Sequence, residues 1–306
     1  MSPNDFIEQL NRSECLAAAS RLRRWLHHPL RYTWAIGFRE LLYPRLRKGY
    51  RTHARLITGH RVAIELPSAT DLYLLGCKTH PSELRLSRYL IRHLAPGDVF
   101  LDAGAHLGYF SLLASTLVGS RGRVVAVEPA PDTFPLLAAN LQQAPNCSSY
   151  NLLLDAAAGE TDFYTFPVQF AEYNSTDPLQ YETEPWYRSH PPIRHRLQAV
   201  TGDQLLQETG LVPTCIKMDV EGSEPAVLQG LQQTLGRHAP VVILEYVHNG
   251  APHREAENLL LQQGYTTHAI NAAGVPVLLS CTANDYVAGT GLRSDNIVFS
   301  RMRPIL

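Results

Sequence analysis

From residue 99 onward the chain alternates between short apolar runs and longer segments whose apolar residues recur at helical spacing. The apolar runs cover residues 99–103, 123–128, 149–154, 215–220 and 241–246, and later strands are expected at 266–270 and 296–300. Helical segments lie between them at 109–118, 132–142, 224–235 and 253–263. Near-continuous apolar strands that alternate with helices are typical of a buried parallel sheet. The pattern predicts an α/β fold with helices on both faces of a mostly parallel, seven-stranded sheet.

Two parts of the chain depart from this alternation. Between residues 4 and 58, apolar residues recur at roughly helical spacing with arginines between them, which predicts a helical N-terminal lobe over residues 1–60. Residues 61–306 are expected to form one α/β domain, which opens with an alternating strand at 61–66 and has its core at 96–301. Residues 160–200 are rich in Pro, Tyr and Thr, so a hairpin with a long loop is expected to be inserted there.

Charge is unevenly distributed, although the whole chain of 306 residues has a net charge of only −1. A nearly neutral chain has no overall attraction to nucleic acid, so no nucleic-acid partner is expected. The first 61 residues, however, carry twelve Lys or Arg against four Asp or Glu. Such a basic segment is either a solvated helical face or a surface, here residues 12–55, that contacts an anionic membrane or a phosphorylated substrate.

The five cysteines are far apart in the sequence and include no CxxC pair, at Cys15, Cys77, Cys147, Cys215 and Cys281. An odd number of scattered cysteines is typical neither of a disulfide framework nor of a thiolate zinc site. No apolar run is long enough to span a membrane, and Asp5 and Glu8 interrupt any signal-peptide pattern. These features favour a cytoplasmic protein with reduced thiols and no transmembrane segment.

Acidic residues close four of the predicted strands, at Asp102, Glu128, Asp219 and Glu245. Right-handed crossovers place the carboxyl ends of all parallel strands at one edge of the sheet, where open α/β folds bind their ligands. A single acid after a strand can simply cap the next helix. Four of them at the same position in successive units predict instead a ligand site lined by carboxylates.

The turn after the first strand of the core has the sequence LDAGAHLG at residues 101–108. Gly104 and Gly108 allow a sharp bend and a close approach of the backbone to a ligand. Their spacing differs from the GxGxxG turn of dinucleotide sites, in which a helix N-terminus meets a pyrophosphate. Glu128, about 20 residues further on, is placed to accept hydrogen bonds from ribose hydroxyls. These residues predict a nucleoside ligand.

Asp102 and Asp155 complete this predicted nucleoside site. S-adenosylmethionine (SAM) has no pyrophosphate, and its amino acid tail suits a carboxylate such as Asp102. Asp155, at the end of the third predicted strand, either reaches the adenine amino group or lies in a surface turn. The glycine spacing favours SAM over NAD, whereas Glu128 is compatible with both.

Four strings, in order and spacing, resemble the FkbM family of SAM-dependent methyltransferases: DAGAHLGYFSLLA, VVAVEPAPDTFPLLAANL, IKMDVEGSEPAVLQGL and VVILEY. The resemblance extends from Leu94 to the end of the chain, and the third string is its most specific part. It implies a Rossmann-like class I methyltransferase fold with SAM as the cofactor. It also implies mainly O-methylation, often of sugars or secondary metabolites.

Matched residue by residue, the resemblance places the cofactor loop at Asp102, Gly104, Ala105, His106 and Gly108, and the ribose-binding acid at Glu128, followed by Pro129. It places the signature of the fourth strand at Lys217, Asp219, Glu221 and Glu224. This chain departs from the family at His106, where Asn is usual, and at Ala156, where an Asp that contacts adenine is frequent. The basic N-terminal lobe has no counterpart in the resemblance.

Methyl transfer to a hydroxyl requires a base, because alkyl hydroxyls are weak acids. Asp219 is the first candidate, since it closes the strand beside the cofactor loop, where it is also expected to contact the cofactor. Glu221, Glu245 and His248 are the next candidates, although His248 could equally be a surface loop residue. Lys217, a further candidate catalytic residue, is expected to be buried next to a carboxylate. Asp219 and Glu245 could bind Mg²⁺, but the sequence offers no adjacent third ligand, so no metal is predicted.

Aromatic and polar side chains are dense in the insertion, at Phe163, Tyr164, Phe166, Phe170, Tyr173, Asn174, Tyr181, Trp186, Tyr187 and His190. They suit a polar ring such as a sugar, although half of them could merely anchor the insertion to the sheet. The predicted function is SAM-dependent O-methylation of a hydroxyl on a sugar, glycan or small secondary metabolite. Two alternatives stay open: an NAD-dependent oxidoreductase, and a non-catalytic scaffold that binds a partner through its basic lobe.

Overall fold

The computed structural model describes residues 3–301. The chain begins with helices α1 (Pro3–Ala17), α2 (Arg21–His27) and α3 (Pro29–Gly37), a π-helical turn at Phe38–Leu42 and the short helix α4 (Tyr43–Leu46). An antiparallel hairpin of β1 (Tyr50–Arg55) and β2 (Arg61–Leu66) follows, and then helices α5 (Thr70–Leu75) and α6 (Pro81–His93).

Strands and helices then alternate along the rest of the chain, as the hydrophobic pattern predicts. The first half consists of β3 (Val99–Ala103), α7 (Tyr109–Val118), β4 (Arg123–Val127), α8 (Phe134–Leu141), β5 (Cys147–Tyr150), β6 (Leu153–Leu154), β7 (Gly159–Thr165), β8 (Ile193–Val200) and α9 (Gly202–Thr209). The second half consists of β9 (Cys215–Met218), α10 (Glu224–Gln229), α11 (Gln232–His238), β10 (Val241–Val247), α12 (Ala251–Gln262), β11 (Thr266–Ile270), β12 (Pro276–Leu278), α13 (Ala283–Thr290) and β13 (Ser294–Ser300).

The central sheet has eight strands in the order β12-β11-β13-β10-β9-β3-β4-β5. The five strands from β10 to β5 are parallel, and β13 lies antiparallel between β10 and β11. The mostly parallel α/β sheet is therefore confirmed. Its eighth strand, the three-residue β12, pairs with β11 at the edge and is an addition to the predicted seven.

The order of the strands reverses between β3 and β9. From β3 the chain proceeds outward through β4 and β5, whereas β9 and β10 lie on the other side. Ligands of open α/β sheets bind in the crevice that such a reversal creates at the carboxyl ends of the strands. The fold thus places the loops after β3 and β9 at the expected binding position.

The third predicted strand, at 149–154, is divided between two sheets. Strand β5 ends at Tyr150 and belongs to the central sheet, whereas β6 belongs to a separate sheet with the order β6-β8-β7. Strands β7 and β8 are antiparallel and enclose the long loop 166–192, so the expected hairpin with a long loop is confirmed. Asp155 consequently follows a strand of the small sheet.

The predicted helix at 224–235 is divided at Gly230 into α10 and α11. The missing side chain of Gly230 allows the carbonyl of Asp155 to approach, since a Cβ there would lie 2.2 Å from that oxygen. A tertiary contact between distant segments therefore interrupts a helix whose local pattern is continuous.

The N-terminal part is less separate from the α/β domain than the predicted helical lobe over residues 1–60 would be. Strand β1 lies within it and pairs with β2, so the expected boundary at residue 60 falls inside a hairpin. Only Ala54 of β1 is buried, so the strand lacks the alternation that would reveal it in the sequence. Phe6 and Leu10 of α1 pack in the same buried cluster as Leu86 and Phe100. Among the residues from 3 to 301, no helix has the length and hydropathy required to cross a membrane.

Candidate active site

A crevice of about 1630 Å³ opens at the carboxyl ends of the central strands. It is lined by residues that follow β3, β4, β9 and β10, by helix α5 and by the insertion loop. Ligand pockets commonly measure about 300 to 1,000 Å³. The crevice therefore has room for a nucleoside cofactor together with an acceptor.

Gly104 brings the loop after β3 into direct contact with the loop after β9. Its φ angle is +77°, and a Cβ at this position would lie only 1.8 Å from the carbonyl oxygen of Asp219. The backbone amides of Gly104 and Ala105 both donate to the carbonyl of Val127, at 3.0 Å. No side chain fits between the two loops, so glycine is required here by space as well as by backbone conformation.

Gly108 and His106 also adopt left-handed backbone conformations, with φ angles of +85° and +49°. A Cβ on Gly108 would lie 2.8 Å from Cδ1 of Leu137, so this glycine allows α7 to pack on α8 and does not line the crevice. His106 does line it, and burial followed by the nearby Lys78 lowers the pKa of its imidazole to about 3. His and Asn are among the residue types that tolerate this conformation, which accounts for His106 at a position where Asn is usual.

Glu128 lines the crevice with a carboxylate that the backbone fixes in place. Its two oxygens accept hydrogen bonds from the amides of His106, at 2.8 Å, and Ala130, at 2.9 Å. Each oxygen retains a second lone pair, so the carboxylate can accept two further hydrogen bonds, which matches the two hydroxyls of a ribose. Burial raises the pKa of Glu128 to about 7, against the effect of the two amides. Glu128, with Pro129 beside it, fits a nucleoside cofactor.

Asp102 lies behind the crevice and differs in this respect from the prediction. It is fully buried, and its Oδ2 accepts a hydrogen bond of 2.6 Å from Ser111. Its Oδ1 lies 3.5 Å from Nζ of Lys217, which is the residue in register with it on the neighbouring strand β9. Asp102 therefore does not reach the amino acid tail of a cofactor in the crevice. The expected carboxylate partner of Lys217 is confirmed.

Three carboxylates meet at the carboxyl ends of β9 and β10. Oxygens of Asp219, Glu221 and Glu245 all lie within 4.8 Å of one another. Tyr181 of the insertion donates a hydrogen bond to Glu221, and Ser294 donates one of 2.6 Å to Glu245. Glu221 thus supplies the third oxygen that the sequence did not place beside Asp219 and Glu245. The predicted absence of a metal stays a prediction.

The negative charge of this carboxylate cluster is concentrated on Asp219. Burial, followed by repulsion from Asp219, raises the pKa of both Glu221 and Glu245 well above the ordinary value. Although burial acts in the opposite direction, Lys217 and a hydrogen bond with Glu245 lower the pKa of Asp219. The Nζ of Lys217 lies 3.3 Å from the carboxylate of Asp219. The cluster accordingly combines one ionised carboxylate with neighbours that hold protons more strongly.

The remaining predicted site residues divide into two groups. His248 lines the crevice next to the carboxylate cluster, in the loop that follows β10. Asp155 does not line it: its carboxylate accepts hydrogen bonds from the amide of Ala156, at 2.7 Å, and from Oγ1 of Thr161, at 3.0 Å. The structure therefore favours the alternative of a surface turn for Asp155.

The insertion contributes to the crevice with only part of its aromatic set. Tyr173, Asn174 and Tyr181 line the crevice, as does Phe163 of β7. Most of the other rings pack on one another, and the centroids of the stacked rings of Phe170 and Trp186 lie 4.2 Å apart. These rings hold the insertion together, whereas the expectation was that half of the aromatic residues anchor it to the sheet.

Two further groups of residues line the crevice. Lys78 lies 3.1 Å from Glu83, and its charge is surrounded by Asp71 and Glu172, all in the crevice wall. Helix α2 and its neighbours form another wall, with Arg21, Arg24, His27, His28, Tyr32 and Arg39. No motif marks these residues, because segments far apart in sequence bring them together. The basic charge of the N-terminal part was the only available signal.

A family model described as Methyltransferase FkbM domain matches residues 102–267, which is more than half of the chain. The chain therefore belongs to this family and is a SAM-dependent methyltransferase with S-adenosyl-L-methionine as its cofactor. The resemblance identified from the four sequence strings is confirmed. Nothing in the family match supports the alternative of an NAD-dependent oxidoreductase.

The similar proteins include one relative named for a sugar acid. Hexuronic acid methyltransferase AglP of Haloferax volcanii is 26% identical over 214 residues, which cover 69% of this chain and 80% of that protein. The FkbM methyltransferase from Methylobacillus flagellatus KT is 15% identical with a TM-score of 0.44, over 76% of this chain and 52% of that chain. This chain thus spans about half of that protein's length. The O-methyltransferase TomG from Streptomyces achromogenes is 13% identical with a TM-score of 0.40, over 76% and 84%.

The affinity for S-adenosylhomocysteine is expected to fall as the pH decreases below 7. The pKa of Glu128 is raised to about 7, so below this value the carboxyl takes up a proton that ribose binding must displace. The dissociation constant should then rise by up to about tenfold per pH unit, as measured by isothermal titration calorimetry between pH 8 and 5.5.

Two variants compare Glu128 with Glu224, a second carboxyl whose pKa lies in the same range. Glu128→Gln should bind more weakly and lose the pH dependence. Burial also raises the pKa of Glu224 to about 7, but Glu224 does not line the crevice, so Glu224→Gln should keep the dependence. A pH profile that disappears in Glu224→Gln and persists in Glu128→Gln would contradict the assignment of Glu128.

Proposed function

We propose that this enzyme transfers the methyl group of SAM to a hydroxyl of a sugar or of a glycan. The proposal rests mainly on the ionised carboxylate of Asp219, a crevice residue whose backbone carbonyl lies directly against the Gly104 turn of the cofactor loop. About a third of the Asp219 side chain, 31%, is exposed to the crevice. A group in this position can contact both a cofactor and an acceptor.

Asp219 is proposed as the group that accepts the proton of the acceptor hydroxyl. Bound SAM supplies a methyl group that is activated by the neighbouring sulfonium. Asp219 orients the hydroxyl by accepting its hydrogen bond and takes the proton on a carboxylate oxygen as the new oxygen–carbon bond forms. Burial, followed by repulsion from Asp219, makes Glu221 and Glu245 hold their protons more strongly, which keeps the remaining carboxylate charge small. Lys217 holds Asp219 in its ionised form.

A sugar acceptor is supported by the lining of the crevice. Tyr173 and Tyr181 offer ring faces, whereas Asn174 and Gln180 offer amide groups that can donate to and accept from ring hydroxyls. The name of AglP, a hexuronic acid methyltransferase, points to the same class of acceptor. A carboxylate acceptor needs no base and would be repelled by Asp219, so the cluster favours a hydroxyl as the methylated group.

Asp219→Asn is expected to lower kcat by about a hundredfold and to leave the affinity for S-adenosylhomocysteine nearly unchanged. The amide keeps the shape of the side chain but cannot accept the proton. Turnover is measured with radiolabelled SAM and a panel of neutral glycosides, uronic acids and oligosaccharides. The methylated product should survive mild alkali, because a methyl ether is stable where a methyl ester is hydrolysed.

Asp132→Asn provides the matched control, since Asp132 is exposed and lies outside the crevice lining. Its activity should equal that of the unmodified enzyme. An alkali-labile product would show that the acceptor is a carboxylate. Full turnover by the Asp219→Asn variant would show that Asp219 is not the base. Folded protein that binds no S-adenosylhomocysteine would contradict the cofactor site itself.

A further inference from the structure

Helix α2 is oriented opposite to an ordinary surface helix. One stripe of the helix carries Arg21 and Arg24, and both of these residues line the crevice. The other stripe carries Leu22, Trp25 and Leu26, with exposed fractions of 66%, 42% and 63%. Helices of water-soluble domains bury their apolar stripe and expose their charges. An outward apolar stripe leaves its side chains without a protein surface to pack against.

The apolar stripe of α2 continues across the following elements. Nine of the fifteen large apolar side chains that are exposed between residues 3 and 301 fall within residues 22–50. They form what we call the N-terminal apolar surface: Leu22, Trp25, Leu26, Leu30, Trp34, Leu41, Leu42, Leu46 and Tyr50. Leu30, which is 86% exposed, borders a groove of about 510 Å³ whose lining also includes Trp34 and Leu41. Concentrated exposure of this kind marks an interaction surface.

Basic side chains without ion-pair partners occur along the same segment of the chain. Arg23, Arg47 and Lys48 are exposed, and none of them forms a salt bridge with another residue of the described chain. Their charges stand beside the leucines and tryptophans in the sequence. A mixture of apolar and unpaired cationic side chains matches the chemistry of an anionic bilayer, where acyl chains lie directly beneath negatively charged headgroups.

We propose that the N-terminal apolar surface binds the face of an anionic lipid bilayer. Leu22, Leu26 and Leu30 enter the boundary between headgroups and acyl chains, while the basic residues of the same segment meet lipid phosphates. The surface lies on the membrane and does not cross it, in agreement with helices too short and too polar to span it. Because α2 also forms a wall of the crevice, docking brings that wall close to the membrane surface.

A second copy of the chain fits this surface less well than a bilayer. Symmetric dimers join the same patch of both subunits. Such an interface would bring Arg23, Arg47 and Lys48 of one subunit against the same cations of the other, and the one acid within residues 22–50, Glu40, is already paired with Arg39. An anionic lipid surface covers the apolar side chains and neutralises the cations at the same time.

Vesicle flotation with the full chain tests the proposal. The protein should float with vesicles of phosphatidylcholine containing about 30% phosphatidylglycerol and bind pure phosphatidylcholine at least about tenfold more weakly. Because the Debye length shrinks to a few ångströms, salt of about 0.5 M should reduce binding to the anionic vesicles. Equal binding to both compositions, or no binding to either, would refute the proposal.

Two sets of variants separate the apolar contribution from the charge. Leu26→Ser with Leu30→Ser should lower the partition coefficient about a hundredfold, and so should Arg23→Gln with Arg47→Gln and Lys48→Gln. Leu261→Ser with Leu278→Ser is the matched control, since these leucines are also exposed but lie on α12 and β12. The control should bind vesicles like the unmodified chain.

Sedimentation in the absence of lipid distinguishes the membrane from self-association. The full chain and the Leu26→Ser, Leu30→Ser variant should show the same oligomeric state, and both should keep their affinity for S-adenosylhomocysteine as evidence of an intact fold. A dimer that dissociates in the leucine variant would show that a second copy covers the surface. Normal vesicle binding by that variant would equally overturn the proposal.

Discussion

Replacing Gly104 with alanine is expected to abolish measurable binding of S-adenosylhomocysteine and to destabilise the fold by about 4 kcal/mol. A left-handed backbone costs a residue with a Cβ about 1 to 2 kcal/mol. Overlap in a packed site costs about 1 to 3 kcal/mol more, and here the Cβ would lie 1.8 Å from the carbonyl oxygen of Asp219. Relief of this overlap has to separate the loop after β3 from the loop after β9. Calorimetric titration and urea denaturation measure the two effects.

Gly210→Ala is the control that separates backbone strain from overlap. Gly210, at the end of α9, is left-handed with a φ angle of +67°, but a Cβ there meets no atom within 4 Å. This variant should lose only about 1 to 2 kcal/mol of stability and keep full affinity for S-adenosylhomocysteine. If Gly104→Ala behaves like Gly210→Ala, the contact between the two loops does not determine the cofactor site.

The architecture could be predicted because its signals are local and repeated. Each buried strand of the core is an apolar run, and each acid at a strand end lies at the edge that parallel topology dictates. Glu128, Asp219 and Glu245 reach the crevice as expected on this argument. The glycine turn could likewise be recognised, although the reason for Gly104 is the carbonyl of Asp219, which the sequence does not show.

The role of Asp102 could not be read from its position in the sequence. It ends an apolar run like the other acids, yet its side chain points to Lys217 on the neighbouring strand. Which residue of β9 lies beside Asp102 depends on strand order and register, and these are tertiary properties. The same limit explains why strand β1 was not predicted. Its hydrogen bonds depend on its partner β2, and its own sequence shows no buried face.

The carboxylate cluster shows a further limit, which concerns protonation. The sequence ranks Asp219 ahead of Glu221 and Glu245 as the base only because Asp219 closes the strand beside the cofactor loop. Only their mutual distances and the position of Lys217 show that the charge is concentrated on Asp219. Tyr181, which donates a hydrogen bond to Glu221, lies in an insertion with no motif of its own.

Lys217→Met is expected to lower the free energy of unfolding by about 3 to 5 kcal/mol, because it leaves the carboxylate of Asp102 buried without a counter-ion. Burial already raises the pKa of Asp102, and Lys217 is the main group that opposes this shift. In the variant the folded-state pKa rises further above the unfolded value. The folded state therefore loses stability as the pH rises through the folded-state pKa, so the variant should denature at lower urea at pH 8 than at pH 5.

Addition of Asp102→Asn to this variant should restore at least about 2 kcal/mol of the free energy of unfolding. It should also remove the additional dependence of stability on pH. The amide still accepts the hydrogen bond from Ser111 and carries no charge to compensate. If the double variant is no more stable than Lys217→Met, the ion pair between Lys217 and Asp102 is not the source of the lost stability. Recovery of stability without recovery of turnover would show that Lys217 acts in catalysis through its second contact, the carboxylate of Asp219 at 3.3 Å.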